Sequence, residues 1–495
     1  MKLNELLKQT GLEYRVENAC SDSALDIPVK QLAVDSRKKA EDSVFFCIKG
    51  MTHDSHLLVD QAIENGALAI VYDHKVDAFR ERFSELPFIK VSDSRLALAK
   101  MAECLHGNPS SSLKVYGVTG TNGKTSVSYL IYKILSKFEK SAYNGTAGSL
   151  IGTEPAAYKH LTTPDTLDLA RLFEQVKDAC CESIAMEVSS HALDMKRSAG
   201  IDFDIAVFTN LSRDHLDYHK TMEAYRDAKA ELFRTLKPSG IAVINLDDAE
   251  ADFFQQSCLN CRIVTYGSAH SASYRFDGIV LKPNGTEFRL THEGRSYHVG
   301  TNLISEINVY NLVAAIAALH QGGKDLDEII RQVAYVDFNI GRFQYVKSDK
   351  YSVIVDFAHT PDAFEKIFAF SDLFRSAGTR VISVFGSAGE RDKGKRPIMG
   401  RIAEAHSDRI VLTEDDNRSE AVLEIIQDIA SGIEDKRKLS IVESRTEAIR
   451  KAFALAEEGD LILLLGKAVD RVMYRDGFLE PYEGDDVIAA RLANG

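Results

Sequence analysis

Val115-Tyr116-Gly117-Val118-Thr119-Gly120-Thr121-Asn122-Gly123-Lys124-Thr125-Ser126 decides the fold. Val115 to Val118 reads as a strand, and the apolar spacing from Val127 to Leu135 reads as a helix. The Gly-rich turn between them points backbone N–H groups into one concavity, and the helix N-terminus adds partial positive charge. That is a cradle for phosphate. Lys124 is placed to reach the β- and γ-phosphates, and the Thr125 hydroxyl to hold Mg²⁺. The strict phosphate-loop pattern asks for Gly five residues before Gly123, where this chain has Val118, so Gly120 supplies the flexibility instead.

Outward from the loop, strand-like and helix-like segments alternate almost throughout. Ala67–Tyr72, Ser183–Val188, Ile205–Thr209, Ala242–Asn245, Val353–Asp356, Val381–Phe385, Arg409–Thr413 and Leu461–Leu465 are the strand candidates. Short apolar runs between helical patterns indicate parallel sheets covered by helices on both faces, so the class is α/β. At about 150 residues per domain, 495 residues suggest about three domains. The turn-rich Gly107-Asn108-Pro109-Ser110-Ser111-Ser112 marks one boundary, and a softer break lies at Asn339-Ile340-Gly341-Arg342. The expected division is 1–107, a central domain 108–340 with an ATPase-like parallel sheet, and a doubly wound, Rossmann-like domain 341–495. Polar alternation over 263–300, with Asn284-Gly285 as a hairpin turn, reads as a small antiparallel excursion.

Composition excludes several classes. Hydrophobic residues at 45% and charged residues at 27% are ordinary for a globular chain. Sixty basic against 73 acidic side chains leave a formal charge of −13, which opposes general nucleic-acid binding. Seven scattered cysteines suit a reducing compartment, and Cys258 and Cys261 lack the further ligands a zinc site needs. Charges interrupt the apolar N-terminus, and Leu461–Leu465 is far short of the ~20 residues of a membrane span. A soluble, cytoplasmic protein without membrane insertion is expected.

Further chemistry clusters after strands. Met186-Glu187-Val188-Ser189-Ser190-His191 offers a Mg²⁺ ligand in Glu187, although Ser189 or Ser190 would equally serve as a helix N-cap. Thr209-Asn210-Leu211-Ser212-Arg213-Asp214-His215-Leu216-Asp217-Tyr218-His219 is dense in ionisable groups, as a metal or phosphate loop requires. Lys229, on an amphipathic helix just beyond, reads by itself as a surface lysine. In the last third, Val355–Asp362, Gly386–Pro397 and Thr413–Arg418 carry charge at three successive strand ends, which suggests one crevice along the top of a sheet.

Together these segments resemble the Mur ligase family, the ATP-dependent amide-forming enzymes of peptidoglycan precursor synthesis. GTNGKT at 120–125, EVSSHAL at 187–193, TNLSRDHLDYH at 209–219, NVYN at 308–311, VDFAHTPDA at 355–363 and ERDKGKRP at 390–397 carry the likeness over essentially the whole chain. LTTPDT at 161–166 is similar to members that add the third stem-peptide residue. The resemblance implies that ATP phosphorylates the D-glutamate carboxylate of UDP-N-acetylmuramoyl-L-alanyl-D-glutamate, and that the amine of a free diamino acid attacks the acyl phosphate. It implies an ATP site at Thr119, Gly120, Thr121, Asn122, Gly123, Lys124, Thr125, Asn308, Asn311, Arg342, Asp356 and His359. It implies two Mg²⁺ ions held by Thr125, Glu187, His215 and Lys229, the lysine as its N6-carboxy derivative. For the UDP-sugar-peptide it implies Ser36, Thr162, Thr163, Ser189 and Arg197, with Met195 standing where some members have glutamine. A monomer is expected. A folylpolyglutamate synthetase, the more distant alternative, needs no N-terminal uridine domain, and Asp35-Ser36-Arg37 speaks against it. A regulator that had lost ligation would show decay at Glu187, His215, Lys229 or Arg391, and none is decayed.

For the incoming amino acid the resemblance implies Arg391, Asp415, Asp416, Asn417, Arg418, Gly466 and Asp470. Enzymes for meso-diaminopimelate usually carry Asp-Asn-Pro-Arg where this chain has Asp415-Asp416-Asn417-Arg418, and Gly-Lys-Gly-His-Glu where it has Gly466-Lys467-Ala468-Val469-Asp470. Asp416 puts an anion in place of an amide, which favours a lone distal ammonium and so L-lysine. Arg418 argues for diaminopimelate, because arginine clamps a distal carboxylate. Charge complementarity favours L-lysine, with diaminopimelate or ornithine as the alternatives.

Overall fold

The computed structural model describes residues 1–18, 25–50, 53–156, 161–282, 285–336, 341, 343–346, 348, 350–373 and 378–493. Arg342 and Asn284, both singled out above, lie outside the described residues. The chain divides into two compact units. One comprises Met1–Gly278, Phe288–Val299 and Tyr310–Ala334, and the other Ile279–Glu287, Gly300–Val309 and Tyr335–Gly495.

The first unit carries two sheets. In the N-terminal one, Gln31–Ala33, Ser43–Phe46, Ala67–Tyr72 and Phe88–Val91 run parallel in that spatial order, and Tyr14–Glu17 closes one edge antiparallel. The larger sheet centres on Lys114–Thr119, flanked by parallel Ser183–Glu187 and Ile205–Phe208. Ser141–Gly145 lies beyond the first of these, and Ile241–Asn245 and Arg262–Gly267 beyond the second, all parallel. Both faces are covered, so the strand interiors are apolar: Val115, Val118, Ile184, Met186 and Phe208 are all fully buried. Each such side chain contributes about 1.5–3 kcal/mol by leaving water. Gly117 has no room for more, since a Cβ there would stand 2.7 Å from the Phe203 ring.

The excursion expected from 263 starts later, because Arg262–Gly267 pairs parallel with Ile241–Asn245 and belongs to the main sheet. Its apolar centre (Val264 and Tyr266 are buried) has the pattern of a core strand; its flanks are polar, which misled the reading.

The second unit has a six-stranded sheet in the order Gln344–Val346, Ser352–Asp356, Leu461–Leu465, Val381–Phe385, Arg409–Leu412, Leu439–Ile441. All pairs are parallel except the first. The three charged strand ends, successive in the chain, are therefore not all neighbours in space. Leu461–Leu465 is inserted between Ser352–Asp356 and Val381–Phe385, at the point where the strand order reverses. That insertion delivers Gly466, Lys467 and Asp470 to the crevice. Among the described residues, no helix is long and apolar enough to cross a membrane.

Candidate active site in two half-sites

The first half-site grows from the Gly-rich turn. Lys114–Thr119 ends and the helix Lys124–Leu135 begins with only Gly120 to Gly123 between them. Gly120 (φ 149°) and Gly123 (φ 83°) both occupy backbone regions that side chains avoid. A Cβ at Gly120 would also meet Thr209 Oγ1 at 1.9 Å, and one at Gly123 would meet Asn311 Oδ1 at 2.6 Å. The loop after Ile205–Phe208 braces the turn from behind. Asn210 Oδ1 accepts from Asn122 N–H at 2.9 Å, Thr209 Oγ1 donates to Asn122 O at 2.6 Å, and Thr121 Oγ1 accepts from Ser212 N–H at 2.9 Å. Thr209, Asn210 and Ser212, read as a candidate ligand loop, are thus scaffold for the phosphate loop. Tyr225 OH reaches Thr121 Oγ1 at 3.2 Å, a contact no sequence pattern announces.

Two lysines converge on one carbonyl. Lys124 Nζ donates to Gly120 O at 2.9 Å and to Thr121 O at 2.8 Å, and Lys229 Nζ donates to the same Gly120 O at 2.6 Å. Lys229 is only 1% exposed, so the surface-lysine reading fails. The helix Met222–Arg234 turns this position inward, packed over the Tyr225 ring at 4.4 Å. Burial, and then the charge of Lys124, pushes its pKa well below the usual lysine range. An amine shifted toward its neutral form in this way becomes more nucleophilic toward CO₂.

Glu187, fully buried at the end of Ser183–Glu187, accepts Thr146 N–H at 2.7 Å and Tyr143 OH at 3.2 Å on Oε1, and Thr146 Oγ1 at 3.2 Å on Oε2. Thr146 also bonds Thr162 Oγ1 at 3.1 Å. Thr163 Oγ1 donates to Glu187 O at 2.9 Å and accepts Ser189 N–H at 3.1 Å, and Arg197 Nη1 donates to Thr163 O at 3.2 Å. The structure thus gathers Thr162, Thr163, Ser189 and Arg197 around the Glu187 strand end. Ser189 is at once the N-cap of Ser190–Asp194, accepting from Ala192 N–H. Thr146 and Tyr143 were missed; their only signal is position at the end of a strand, Ser141–Gly145, beside Ser183–Glu187.

His215 has a left-handed backbone (φ 53°) and stands 4.9 Å, ring to ring, from His191. Burial first, then His191 and the charge of Lys124, hold it down to about 4 against the pull of Asp214, so it is a neutral nitrogen donor at pH 7. The donors suit Mg²⁺: the Glu187 carboxylate has lone-pair capacity left on Oε2, Thr125 offers a hydroxyl, and a carboxylated Lys229 would add an anionic oxygen. Ser36 lies apart from these groups in the N-terminal sheet, buried, with its hydroxyl on Gln61 Oε1 at 2.7 Å.

The second half-site lines the crevice of the six-stranded sheet. Asp356 is buried, and its carboxylate accepts Phe343 N–H and Ala358 N–H, both at 2.7 Å. Asn308 Nδ2 donates to Ile304 O at 2.9 Å, and His359 lends its carbonyl to Lys395 Nζ at 2.8 Å. Arg391 is exposed. Lys467, 2% exposed, donates to Asp416 Oδ1 and Asp470 Oδ2, each at 2.9 Å. Burial opposes its charge, but Asp415, Asp470 and Asp416 outweigh that and raise its pKa. Asp415 Oδ2 would lie 2.8 Å from a Cβ at Gly466, which explains a glycine there (φ 112°). Asn417 is buried and braces Glu420 O at 2.8 Å and Asp476 Oδ1 at 3.0 Å. Arg418 (φ 57°) rests 5.9 Å from the Tyr474 ring, its buried Nε without a partner and its guanidinium on no carboxylate among the described residues.

The Mur ligase middle domain matches residues 118–319, and the Mur ligase glutamate ligase domain matches residues 341–468. The chain belongs to the Mur ligase family. This Mur ligase is 39% identical, over 100% of its length and 99% of the relative's, to the UDP-N-acetylmuramoyl-L-alanyl-D-glutamate--2,6-diaminopimelate ligase of Syntrophomonas wolfei. It is 39% identical to the same-named enzyme of Halalkalibacterium halodurans, covering 94% of each chain. A solved structure of a UDP-N-acetylmuramoyl-L-alanyl-D-glutamate--2,6-diaminopimelate ligase superposes with a TM-score of 0.71 at 31% identity, over 100% of this chain and 98% of that one. These full-length likenesses bear out the family and the relation to members that add the third residue. They go against L-lysine, since the relatives are named for diaminopimelate. Asp416 is moreover paired with Lys467 at 2.9 Å and is not the free anion that the charge argument took it for.

Proposed function

We propose that this Mur ligase joins the D-glutamate carboxylate of UDP-N-acetylmuramoyl-L-alanyl-D-glutamate to an amine of meso-diaminopimelate at the expense of ATP. Residues 1–107 would hold the UDP moiety through Ser36, 108–340 the nucleotide, and 341–495 the amino acid. The observation that carries the choice of amino acid is Arg418, a guanidinium without a carboxylate partner among the described residues, beside an Asp416 already paired to Lys467. Diaminopimelate brings the distal carboxylate such a guanidinium lacks; lysine and ornithine do not.

The chain's residues fit the chemistry. The turn at Gly120–Gly123 and Lys124 receive the phosphates and counter the charge of the transferring γ-phosphoryl group. Thr125, Glu187, His215 and N6-carboxylated Lys229 would hold Mg²⁺ at two positions, and Mg²⁺ when bound supplies further charge neutralisation there. Thr162, Thr163, Ser189 and Arg197 orient the peptide so that its carboxylate takes the phosphoryl group, giving ADP and an acyl phosphate. The amine then attacks the acyl carbon, the new amide forms, and phosphate leaves with the proton lost from nitrogen. Arg391 would hold the α-carboxylate of the incoming amino acid.

Phosphate release from purified chain, ATP, Mg²⁺ and the UDP-linked dipeptide tests this, with meso-diaminopimelate, L-lysine and L-ornithine in separate reactions. Turnover with diaminopimelate is expected. Turnover with lysine or ornithine alone overturns the Arg418 argument, and none with any of them overturns the reaction.

A further inference from the structure

Away from both half-sites, three metal-ligating side chains meet at one point. The ligand atoms of His56, Asp73 and His74 all lie within 4.8 Å of one another. The backbone brings them there. Ala67–Tyr72 is a parallel strand of the N-terminal sheet, and Asp73 and His74 leave its carboxyl end. His56 sits on the short turn Ser55–Leu57 that follows the neighbouring strand Ser43–Phe46. The carboxyl edge of a parallel sheet is where such folds present ligand groups, and Ser36 follows Gln31–Ala33 on the same edge.

The cluster is supported from behind. His56 is 2% exposed, and its Nδ1 lies 2.6 Å from Asp54 Oδ1. That contact aims Nε2 at Asp73 Oδ1, 3.0 Å away. The other Asp73 oxygen accepts Ser94 N–H at 2.9 Å, which fixes the carboxylate. His74 sets Nδ1 against the same Asp73 Oδ1, its ring edge-on to that of His56 at 5.1 Å and open to solvent. Two carboxylates, Asp54 and Asp73, thus flank the two imidazoles at hydrogen-bond distance. A carboxylate-backed imidazole, a second imidazole and an oriented carboxylate form a donor set for a borderline metal rather than for Mg²⁺.

We propose that His56, Asp73 and His74 form a binding site for a borderline transition-metal dication, Zn²⁺ in the first instance, with Asp54 orienting His56 and an open coordination position on the solvent side of His74. The site lies outside the residues assigned above to ATP, Mg²⁺ and the amino acid. The competing reading is a hydrogen-bonded chain that only braces the strand end.

The test uses the full-length, tag-free chain, stripped with chelator and titrated with Co²⁺ and then Zn²⁺ under excess Mg²⁺. Wild type is expected to show visible Co²⁺ absorption bands that one equivalent of Zn²⁺ abolishes. His74→Ala, at an exposed position, should bind one ion fewer and lose those bands. Asp54→Asn should keep the ligands but weaken binding about 10–100-fold. Any ion held near His215 is common to wild type and His74→Ala and cancels in their difference. Equal stoichiometry and equal spectra for those two, with matching thermal melts, overturn the proposal, as does a wild type that binds no Co²⁺.

Discussion

Lys229 and Lys467 are both buried, at 1% and 2% exposure, yet their surroundings drive them in opposite directions. Lys229 sits against a carbonyl, an aromatic ring and another lysine, and is pushed toward the neutral amine. Lys467 sits among Asp415, Asp416 and Asp470, and is held as a cation. Burial alone does not set a lysine's charge; the groups buried with it do. The first lysine is thereby available for chemistry on its nitrogen. The second is spent on lowering the negative charge of the crevice in the six-stranded sheet.

The sharpest way to break the contrast is to remove each amine. Lys229→Met, close in length and without charge, should fold and lose at least about 1,000-fold in kcat, the scale of removing a group that stabilises transferring charge. Adding a small carboxylate such as acetate should restore part of the activity. Full activity without rescue would end the N6-carboxylysine role. Arg418→Ala comes next. It should lower kcat/KM for meso-diaminopimelate about 100-fold, the cost of one charge-assisted pair, while leaving L-lysine within a few-fold. An equal loss for both amino acids would mean that Arg418 only supports the loop.

Much of this architecture was legible in the sequence, for physical reasons that can be named. Val381–Phe385 and Leu461–Leu465 are buried on both faces, so their apolar runs coincide with the strands. Gly120 and Gly123 were legible because their backbone conformations admit little else. What stayed hidden depends on partners distant in the chain. Lys229 reads as a surface residue until Gly120 O, 109 positions away, is seen beside it. Asp416 reads as a free anion until Lys467, 51 positions on, is seen to hold it. Nor does chain order reveal that Leu461–Leu465 inserts between two earlier strands, and that insertion is what puts Lys467 there.

A smaller effect sharpens the Lys467 side of the comparison. Asp416→Asn removes one carboxylate while the amide can still accept from Tyr474 N–H, now 2.8 Å from the Asp416 oxygen. Lys467 then keeps Asp470 as its paired carboxylate with Asp415 nearby, and the crevice is one charge less negative. Discrimination for meso-diaminopimelate over L-lysine should rise about 10-fold, measured as the ratio of kcat/KM values. A fall in that ratio would mean that Asp416 supports diaminopimelate more than lysine, and that its charge does not work against the distal carboxylate.

The smallest expected effect concerns two carboxylates of the same unit that differ as the lysines do. Asp470 is raised above the usual range, because burial and the charges of Asp416 and Asp415 outweigh Lys467. Glu420 is lowered from 4.5 to about 2, mainly by Arg396, which donates to it at 3.0 Å, and by Glu390 N–H. Arg396 is fully buried, so this pair ties the first turn of Lys395–His406 to the loop before Val422–Ala430. A carboxylate whose pKa falls on folding contributes stability that is complete above its unfolded value and is lost as pH drops through its folded value. Glu420 should therefore stabilise the unit fully above pH 4.5 and progressively less down to about pH 2. Glu420→Gln should lower the melting temperature at pH 7 and flatten its decline across that acid window. An unchanged slope between wild type and variant would show that Glu420 carries no such coupling, and that Arg396 is held by Asp428 instead, 2.9 Å away.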